Sequence, residues 1–261
     1  MFKKNSWKAV FSDFKKHIIE KKLLSGALSV ILAGGILLSA VPLVKAAGLG
    51  TGEVIKEILS TDSLSVAEGL NYEQVTFKTA DGSTVAGFML DSNYGAEGSN
   101  LKIGVGMPYG ETEIGMQPVS GQLYDAFLNG RNVLGGVNGD FYDMSTGEPD
   151  GVYIQDGVQI HGWAESPITA RVTYRTFFGI LKDGTAIIGD EGDYLQYKDQ
   201  LQQAIGGDFM MVQDGQMTDF AEKEGVWDSP KDPLPRTCVG IREDGSVFFI
   251  CVDGRRPDTY S

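Results

Sequence analysis

The sequence predicts an α+β protein, built mainly of antiparallel β-hairpins in a mixed sheet with a few flanking helices. An N-terminal hydrophobic helix for export or anchoring precedes this domain. Three observations support the prediction: Asp-Gly recurs between apolar runs, only two later segments have helical spacing, and one long uncharged apolar run follows a basic N-terminus.

The N-terminal 46 residues have the composition of an export segment. They hold eight lysines and two acidic residues, and residues 23–44 contain no charged residue. Such a run is long enough to span a bilayer, which needs roughly 20 residues. It ends in Val44-Lys45-Ala46, a small-residue pattern typical of a signal-peptidase site. A cleaved signal peptide and an uncleaved membrane anchor both fit, and both predict an extracytoplasmic protein, either secreted or held to the membrane through residues 23–44.

The rest of the chain divides into a linker and one domain. Residues 47–70 are small and polar with a short apolar pattern, so we expect a linker with one or two helical turns, followed by a domain over 71–261. The whole chain carries −13 and the first 46 residues carry +6, so the remainder carries −19. This charge excludes nucleic-acid binding through a general basic surface.

Asp-Gly pairs dominate the domain. This dipeptide tolerates the positive φ angles that a two-residue hairpin loop requires, and each pair lies between apolar or alternating runs. The sequence therefore predicts five hairpins, at Asp81-Gly82, Asp156-Gly157, Asp183-Gly184, Asp214-Gly215 and Asp244-Gly245.

Two segments have apolar residues at helical spacing. The first covers 120–131, with Ser120 as a candidate N-cap and Gly130 as the stop. The second covers 193–207 and ends at Gly206-Gly207. We expect both to be helices.

Cys238 and Cys251 flank the last Asp-Gly turn. A two-residue loop at Asp244-Gly245 would place the two cysteines directly opposite each other, at a pair where side chains approach closely. A cross-strand disulfide and two small buried apolar side chains both fit this placement.

In the same register Arg236 would oppose Asp253, either as a structural ion pair or as an anion-binding arginine held by a carboxylate.

Several familiar kinds of catalytic site are missing from the sequence. There is no C-x-x-C or H-x-x-x-H pattern for zinc, no phosphate-binding P-loop and no dinucleotide fingerprint. His161 is the single histidine after residue 46, and no G-x-S-x-G motif accompanies it. We therefore do not expect a Ser-His-Asp triad, nucleotide hydrolysis or nicotinamide chemistry.

Polar residues follow or precede apolar runs at four places. The four motifs are NGDFYD at 138–143 with GEPDG at 147–151, GGDFMMVQDG at 206–215, PRTCVGI at 235–241, and VDGRRPDTYS at 252–261. Carboxylates such as Asp140 can supply acid or base catalysis at a glycosidic bond, and arginine binds phosphate through paired donors.

Together these motifs resemble the phosphodiester glycosidase family over roughly residues 72–261. The resemblance implies hydrolysis of a sugar-1-phosphodiester, of the N-acetylglucosamine-1-phosphodiester kind, in cell-envelope or exopolysaccharide metabolism. The family pattern continues into an N-L-D-G-G-G-S motif that has no match before Ser261, so we expect an incomplete family domain.

The resemblance also implies roles for individual residues. The expected catalytic or scissile-bond residues are Asn138, Asp140 and Asp253. The expected substrate-binding residues are Arg236, Thr237, Arg255, Gly207 and Asp208. A divalent cation near the acidic residues at 143–150 is a further hypothesis, without an assigned ligand set, and the expected partner is a sugar-phosphate or glycan. The alternative function is a non-catalytic module that binds envelope glycans.

Overall fold

The computed structural model describes residues 55–110, 113–163, 175–218 and 234–254. Strands dominate these residues, and two α-helices and two short 3₁₀ turns accompany them. The helices are α1 (Val119–Leu128) and α2 (Glu191–Tyr197). The strands are β1 (Ile55–Ala67), β2 (Leu70–Thr79), β3 (Thr84–Ser92), β4 (Tyr153–Gln155), β5 (Val158–His161), β6 (Thr176–Leu181), β7 (Ala186–Gly189), β8 (Leu201–Gly207), β9 (Val212–Gln213), β10 (Gln216–Met217), β11 (Arg236–Ile241) and β12 (Val247–Val252).

Two five-stranded sheets carry the fold. The first has the strand order β1-β2-β3-β12-β11, and the second has the order β5-β4-β8-β6-β7. The pairings within both sheets are antiparallel, so the predicted hairpin architecture with a few helices is confirmed.

The alternation of apolar residues along the strands explains how the sheets pack. On β12, Ile250 and Val252 face a cluster on one side of the first sheet, whereas Val247 and Phe249 face the second sheet. Phe178 of β6 meets Phe249 edge to face, with ring centroids 6.1 Å apart. The outer face of the second sheet is covered in part by α2, whose Tyr194 packs among Trp163 and Phe177.

All five Asp-Gly pairs lie in hairpin turns, as predicted. They connect β2 to β3, β4 to β5, β6 to β7, β9 to β10 and β11 to β12. At Asp156-Gly157 the φ angles are 52° and 79°, both in the left-handed region that a two-residue turn requires.

The predicted helix over 120–131 is present as α1, which ends before Gly130 (φ 78°). Its N-cap is Pro118 rather than Ser120.

The predicted helix over 193–207 is wrong in its second half, because α2 ends at Tyr197 and Leu201–Gly207 forms β8 in the centre of the second sheet. Residues 55–67, expected in the linker, form β1 instead and pair with β2.

The predicted register of the last hairpin is wrong by one residue. The turn holds three residues, 243–245, because Arg242 exchanges backbone hydrogen bonds with Gly245 and Ser246. Cys238 therefore lies opposite Ile250, and Cys251 lies opposite Thr237. Since neighbouring positions on a strand face opposite sides, the two cysteines point to opposite faces of the sheet, and both are free thiols. The same shift places Arg236 opposite Val252 rather than Asp253.

The leader segment 1–46 and Arg255 lie outside the described residues, so the predictions on them stay predictions. Within the part of the chain that the structure describes, no helix combines the length and the apolar character needed to cross a membrane.

Candidate active site

The candidate site lies where the ends of four strands meet one loop. The loop spans residues 138–151 and is called the acidic loop below. The strand ends are the start of β6, the end of β8, the start of β11 and the end of β12. Because Thr237 shares the face of β11 that carries Val239 and Ile241, it points toward the second sheet, and its hydroxyl donates to Asn138 Oδ1 at 2.6 Å. This bond connects the first sheet to the acidic loop.

Arg175 fixes the acidic loop through ion pairs with two of its carboxylates. Its Nη1 lies 2.8 Å from Asp140 Oδ1, and its Nη2 lies 3.3 Å from Asp150 Oδ2. The three side chains are 1%, 2% and 5% exposed for Arg175, Asp140 and Asp150. Two buried carboxylates thus share one guanidinium, which leaves a net charge of −1 if both are ionised.

Asp140 is held tightly in place. Its Oδ1 accepts a hydrogen bond from the N–H of Phe141 at 2.8 Å, and its Oδ2 is enclosed next to Gly151 and Gly206. A Cβ atom at Gly151 or Gly206 would collide with Asp140 Oδ2, so glycine is the residue that fits at both positions. Burial raises the pKa of Asp140, and the Arg175 charge and the Phe141 N–H oppose the increase.

Asp208 is the more accessible carboxylate of the site. It follows β8, and because Thr176 pairs with Gly207, Arg175 and Asp208 occupy the next positions along the two strands. Burial raises the pKa of Asp208 to about 6; the charges of Arg175 and Arg236 oppose this increase, and that of Asp140 adds to it. Asp208 Oδ1 is buried and has no hydrogen-bond partner among the described residues.

Several predicted site residues are therefore brought together. The structure places Asn138, Asp140, Gly207, Asp208, Arg236 and Thr237 around the same strand ends. Asp253 directly follows β12, and its backbone N–H donates to Ala86 O at 2.9 Å.

Sequence reasoning missed Arg175, Asp150 and His161 as parts of the site. The sequence does not show which residues these two contact. Asp150 meets Arg175 because the acidic loop ends beside the start of β6, and His161 meets Gly151 because the loop also lies against the end of β5. The single local signal for Arg175 is a charged residue directly before the apolar run of β6, a position that surface arginines also occupy.

One acidic residue of the segment 143–150, where a divalent cation was a hypothesis, has a structural role in the loop. Asp143 Oδ1 accepts from the N–H of Ser145 at 2.7 Å and from that of Thr146 at 3.3 Å, so this carboxylate shapes the turn of the loop. Among the described residues, no group of three or more His, Cys, Asp or Glu side chains is placed to hold a metal ion.

Comparison with known proteins places the chain in a family. The family model for phosphodiester glycosidases matches residues 131–261, and the chain belongs to this family. The matched residues include the acidic loop, Arg175, Asp208 and the β11–β12 hairpin.

The fold is similar to that of a solved structure of known activity. It is the zebrafish N-acetylglucosamine-1-phosphodiester alpha-N-acetylglucosaminidase catalytic domain, auto-inhibited by its pro-peptide, with 20% sequence identity and a TM-score of 0.52. The match covers 77% of this chain and 68% of the zebrafish chain. A search of curated proteins gives no match.

Proposed function

We propose that the protein is an exported glycosidase that hydrolyses a sugar-1-phosphodiester of the N-acetylglucosamine-1-phosphodiester kind in envelope or exopolysaccharide glycans. The observation that carries the proposal is Asp208, a largely buried carboxylate with one unpartnered oxygen, within electrostatic reach of Arg175 and Arg236. A base and a phosphate-binding cation are the two groups that this reaction needs. Family membership and the fold shared with the zebrafish enzyme support the same reaction class.

The chemistry assigns Asp208 the role of general base. Its carboxylate takes a proton from a water molecule while the water oxygen bonds to the anomeric carbon of the sugar. The bond between that carbon and the phosphate oxygen breaks, and its electron pair stays on the phosphate. The products are the free sugar and a phosphomonoester on the acceptor, and the proton passes from Asp208 to solvent.

Asp140 acts by holding the site rather than by exchanging protons with substrate. It is almost fully buried: Arg175 and the Phe141 N–H both bond its Oδ1, and Gly151 and Gly206 enclose its Oδ2. Its place between Gly151 and Gly206 keeps the acidic loop against the end of β8. We therefore assign catalysis to Asp208 and loop positioning to Asp140.

Arg236 and its neighbours bind the phosphodiester in this proposal. Arg236 lies at the start of β11, close enough to Asp208 for its charge to act on that carboxylate. The hydrogen bond from Thr237 fixes the Asn138 side chain beside it, where its amide can contact a sugar hydroxyl. Asp253 and Arg255, which follow β12 in the chain, are assigned to the same phosphate and sugar contacts.

The experiment is hydrolysis of an N-acetylglucosamine-1-phosphodiester by the full-length protein, with free sugar measured chromatographically. Replacing Arg236 by alanine removes charge-assisted hydrogen bonds to phosphate and should lower kcat/KM by roughly 10- to 100-fold. Arg131→Ala, which changes an exposed arginine, is the matched control and should retain activity. Equal activity of the two variants would remove Arg236 from the site, and glycan binding without turnover in the unmodified protein would favour a non-catalytic module.

Export is the part of the proposal that rests on the leader segment alone. Cell fractionation tests it, and protein confined to the cytoplasm would contradict it.

A further inference from the structure

The acidic loop is closed on itself at its base. The N–H of Asp150 donates to Phe141 O at 2.9 Å, and Tyr142 pairs with Pro149 one step further along. These contacts fix the shape of the loop, but they do not fix where the loop lies on the second sheet. Contacts from outside the loop must do that.

Gly151 connects the end of the loop to Asp140. Its backbone packs against the Asp140 carboxylate, since an added Cβ would collide with Asp140 Oδ2 and would lie only 3.0 Å from the Cα of Gly206 on β8. The carbonyl of the same residue accepts a hydrogen bond from His161 Nδ1 at 2.7 Å. Gly151 is therefore hydrogen-bonded to the imidazole through its carbonyl and packed against the Asp140 carboxylate at its Cα.

The contacts of His161 define its tautomer. The ring is 2% exposed at the end of β5, and a carbonyl oxygen can only accept, so Nδ1 must carry the hydrogen. In the neutral ring Nε2 then has a lone pair and no hydrogen. Nε2 lies 3.8 Å from Glu148 Oε1 and makes no hydrogen bond within the described residues.

We propose that His161 is a positioning residue of the active site, which fixes Gly151 through its Nδ1–H and thereby sets the place of the Asp140 carboxylate. This inference rests on the proposed function for its catalytic consequence. The chain of contacts runs from the imidazole to the Gly151 carbonyl, from the Gly151 backbone to the Asp140 carboxylate packed against it, and from Asp140 to Arg175 beside Asp208.

The tautomer is the first test, and it needs no activity. Nitrogen-15 NMR of the folded full-length protein, at a pH where the ring is neutral, should show hydrogen on Nδ1 of His161 and none on Nε2. A ring with its hydrogen on Nε2 could not donate to Gly151 and would overturn the proposal.

Two amide substitutions form a matched pair. In His161→Asn the side-chain NH₂ lies near the position of Nδ1 and can still donate to Gly151, whereas in His161→Gln it lies near the position of Nε2. We expect His161→Asn to keep kcat within about threefold of the unmodified protein, and His161→Gln to lose at least about tenfold, the equivalent of one hydrogen bond. KM should change less than kcat, because neither side chain contacts the substrate.

Hydrogen exchange separates this inference from the proposed reaction. The Gly151 N–H should exchange about tenfold faster in His161→Gln than in His161→Asn, whether or not the protein hydrolyses the test substrate. Equal exchange and equal kcat in the two variants would overturn the positioning role. Absence of hydrolysis by the unmodified protein would overturn the proposed function and leave the exchange comparison to decide this inference.

Discussion

Asp208 combines two properties at the scale of a single residue that favour a general base. It is buried enough for its pKa to rise to about 6, and its Oδ1 has no hydrogen-bond partner among the described residues. A base with a pKa near the working pH is a stronger proton acceptor than an exposed aspartate, and it is still largely ionised at neutral pH. Arg175 and Arg236 keep the increase moderate.

The first prediction concerns the pH dependence of this residue. Activity should rise as pH increases through about 6, because the base works only after Asp208 loses its proton. Asp208→Asn should lower kcat by roughly 10²- to 10⁴-fold, the usual contribution of a general base. A rising limb that persists unchanged in Asp208→Asn would assign the base to another residue.

The same substitution should stabilise the protein. The raised pKa means that folded Asp208 holds its proton up to a higher pH than unfolded Asp208, so its contribution to stability is present below pH 4 and is lost as pH rises through about 6. At pH 7, Asp208→Asn should therefore increase the free energy of unfolding by roughly 2–3 kcal/mol. Urea titrations at pH 7 and pH 4 measure this gain, which should shrink at the lower pH.

Strand pairing decides, at the scale of the elements, which side chains meet in the site. Arg175 and Asp208 are neighbours because Thr176 pairs with Gly207, and Thr237 reaches Asn138 because the β11–β12 register turns it toward the second sheet. Glycines then allow the backbones of β8 and the acidic loop to approach each other closely. The end of β8 and the end of the acidic loop touch at Gly206 and Gly151.

Gly206→Ala tests this close approach. The new methyl group would collide with Asp140 Oδ2 and lie 2.9 Å from the Gly151 Cα, so the substitution should destabilise the protein by roughly 1–3 kcal/mol and lower activity. Gly104→Ala is the control, because a Cβ there meets nothing within 4 Å. We would measure the denaturation midpoint and the turnover of both variants. Equal values for Gly206→Ala and Gly104→Ala would contradict the close approach.

The two cysteines test the register of the β11–β12 hairpin. Since they face opposite sides of the sheet, the native protein should contain two free thiols after unfolding under non-reducing conditions. Burial raises the pKa of Cys238 to about 12, so this thiol should react slowly with a thiol reagent in the folded protein. A disulfide between Cys238 and Cys251 would show that the register is the one predicted from a two-residue turn.

The sequence was informative about turns and less informative about the strands between them. Asp-Gly marks a reversal of the chain, but it serves both in the two-residue turn at Asp156-Gly157 and in the three-residue turn that ends at Gly245, so it leaves the register undecided. The segment Leu201–Gly207 was predicted as helix because its few apolar residues fit both periods, and only its neighbours β4 and β6 make it a central strand. The contact between Arg175 and Asp208 depends on the pairing of β6 with β8, so the role of Arg175 was missed for the same reason.

The whole molecule brings the site together from both sheets and from the loop between them. The first sheet supplies Arg236 and Thr237, and the second supplies Arg175 and Asp208. The residues after position 46 carry a net charge of −19, which opposes the approach of an anionic substrate. In the proposed function, Arg236 at the start of β11 supplies the positive charge that a phosphate group needs against this field.

The position of bond cleavage tests the central claim most directly. The full-length protein would be incubated with an N-acetylglucosamine-1-phosphodiester in water enriched in ¹⁸O, and the products analysed by mass spectrometry. Attack at the anomeric carbon predicts one ¹⁸O atom in the released sugar, beyond the label that free sugar takes up alone, and none in the phosphomonoester. Label in the phosphate, or release of the sugar-1-phosphate, would contradict a glycosidase and show cleavage at phosphorus instead.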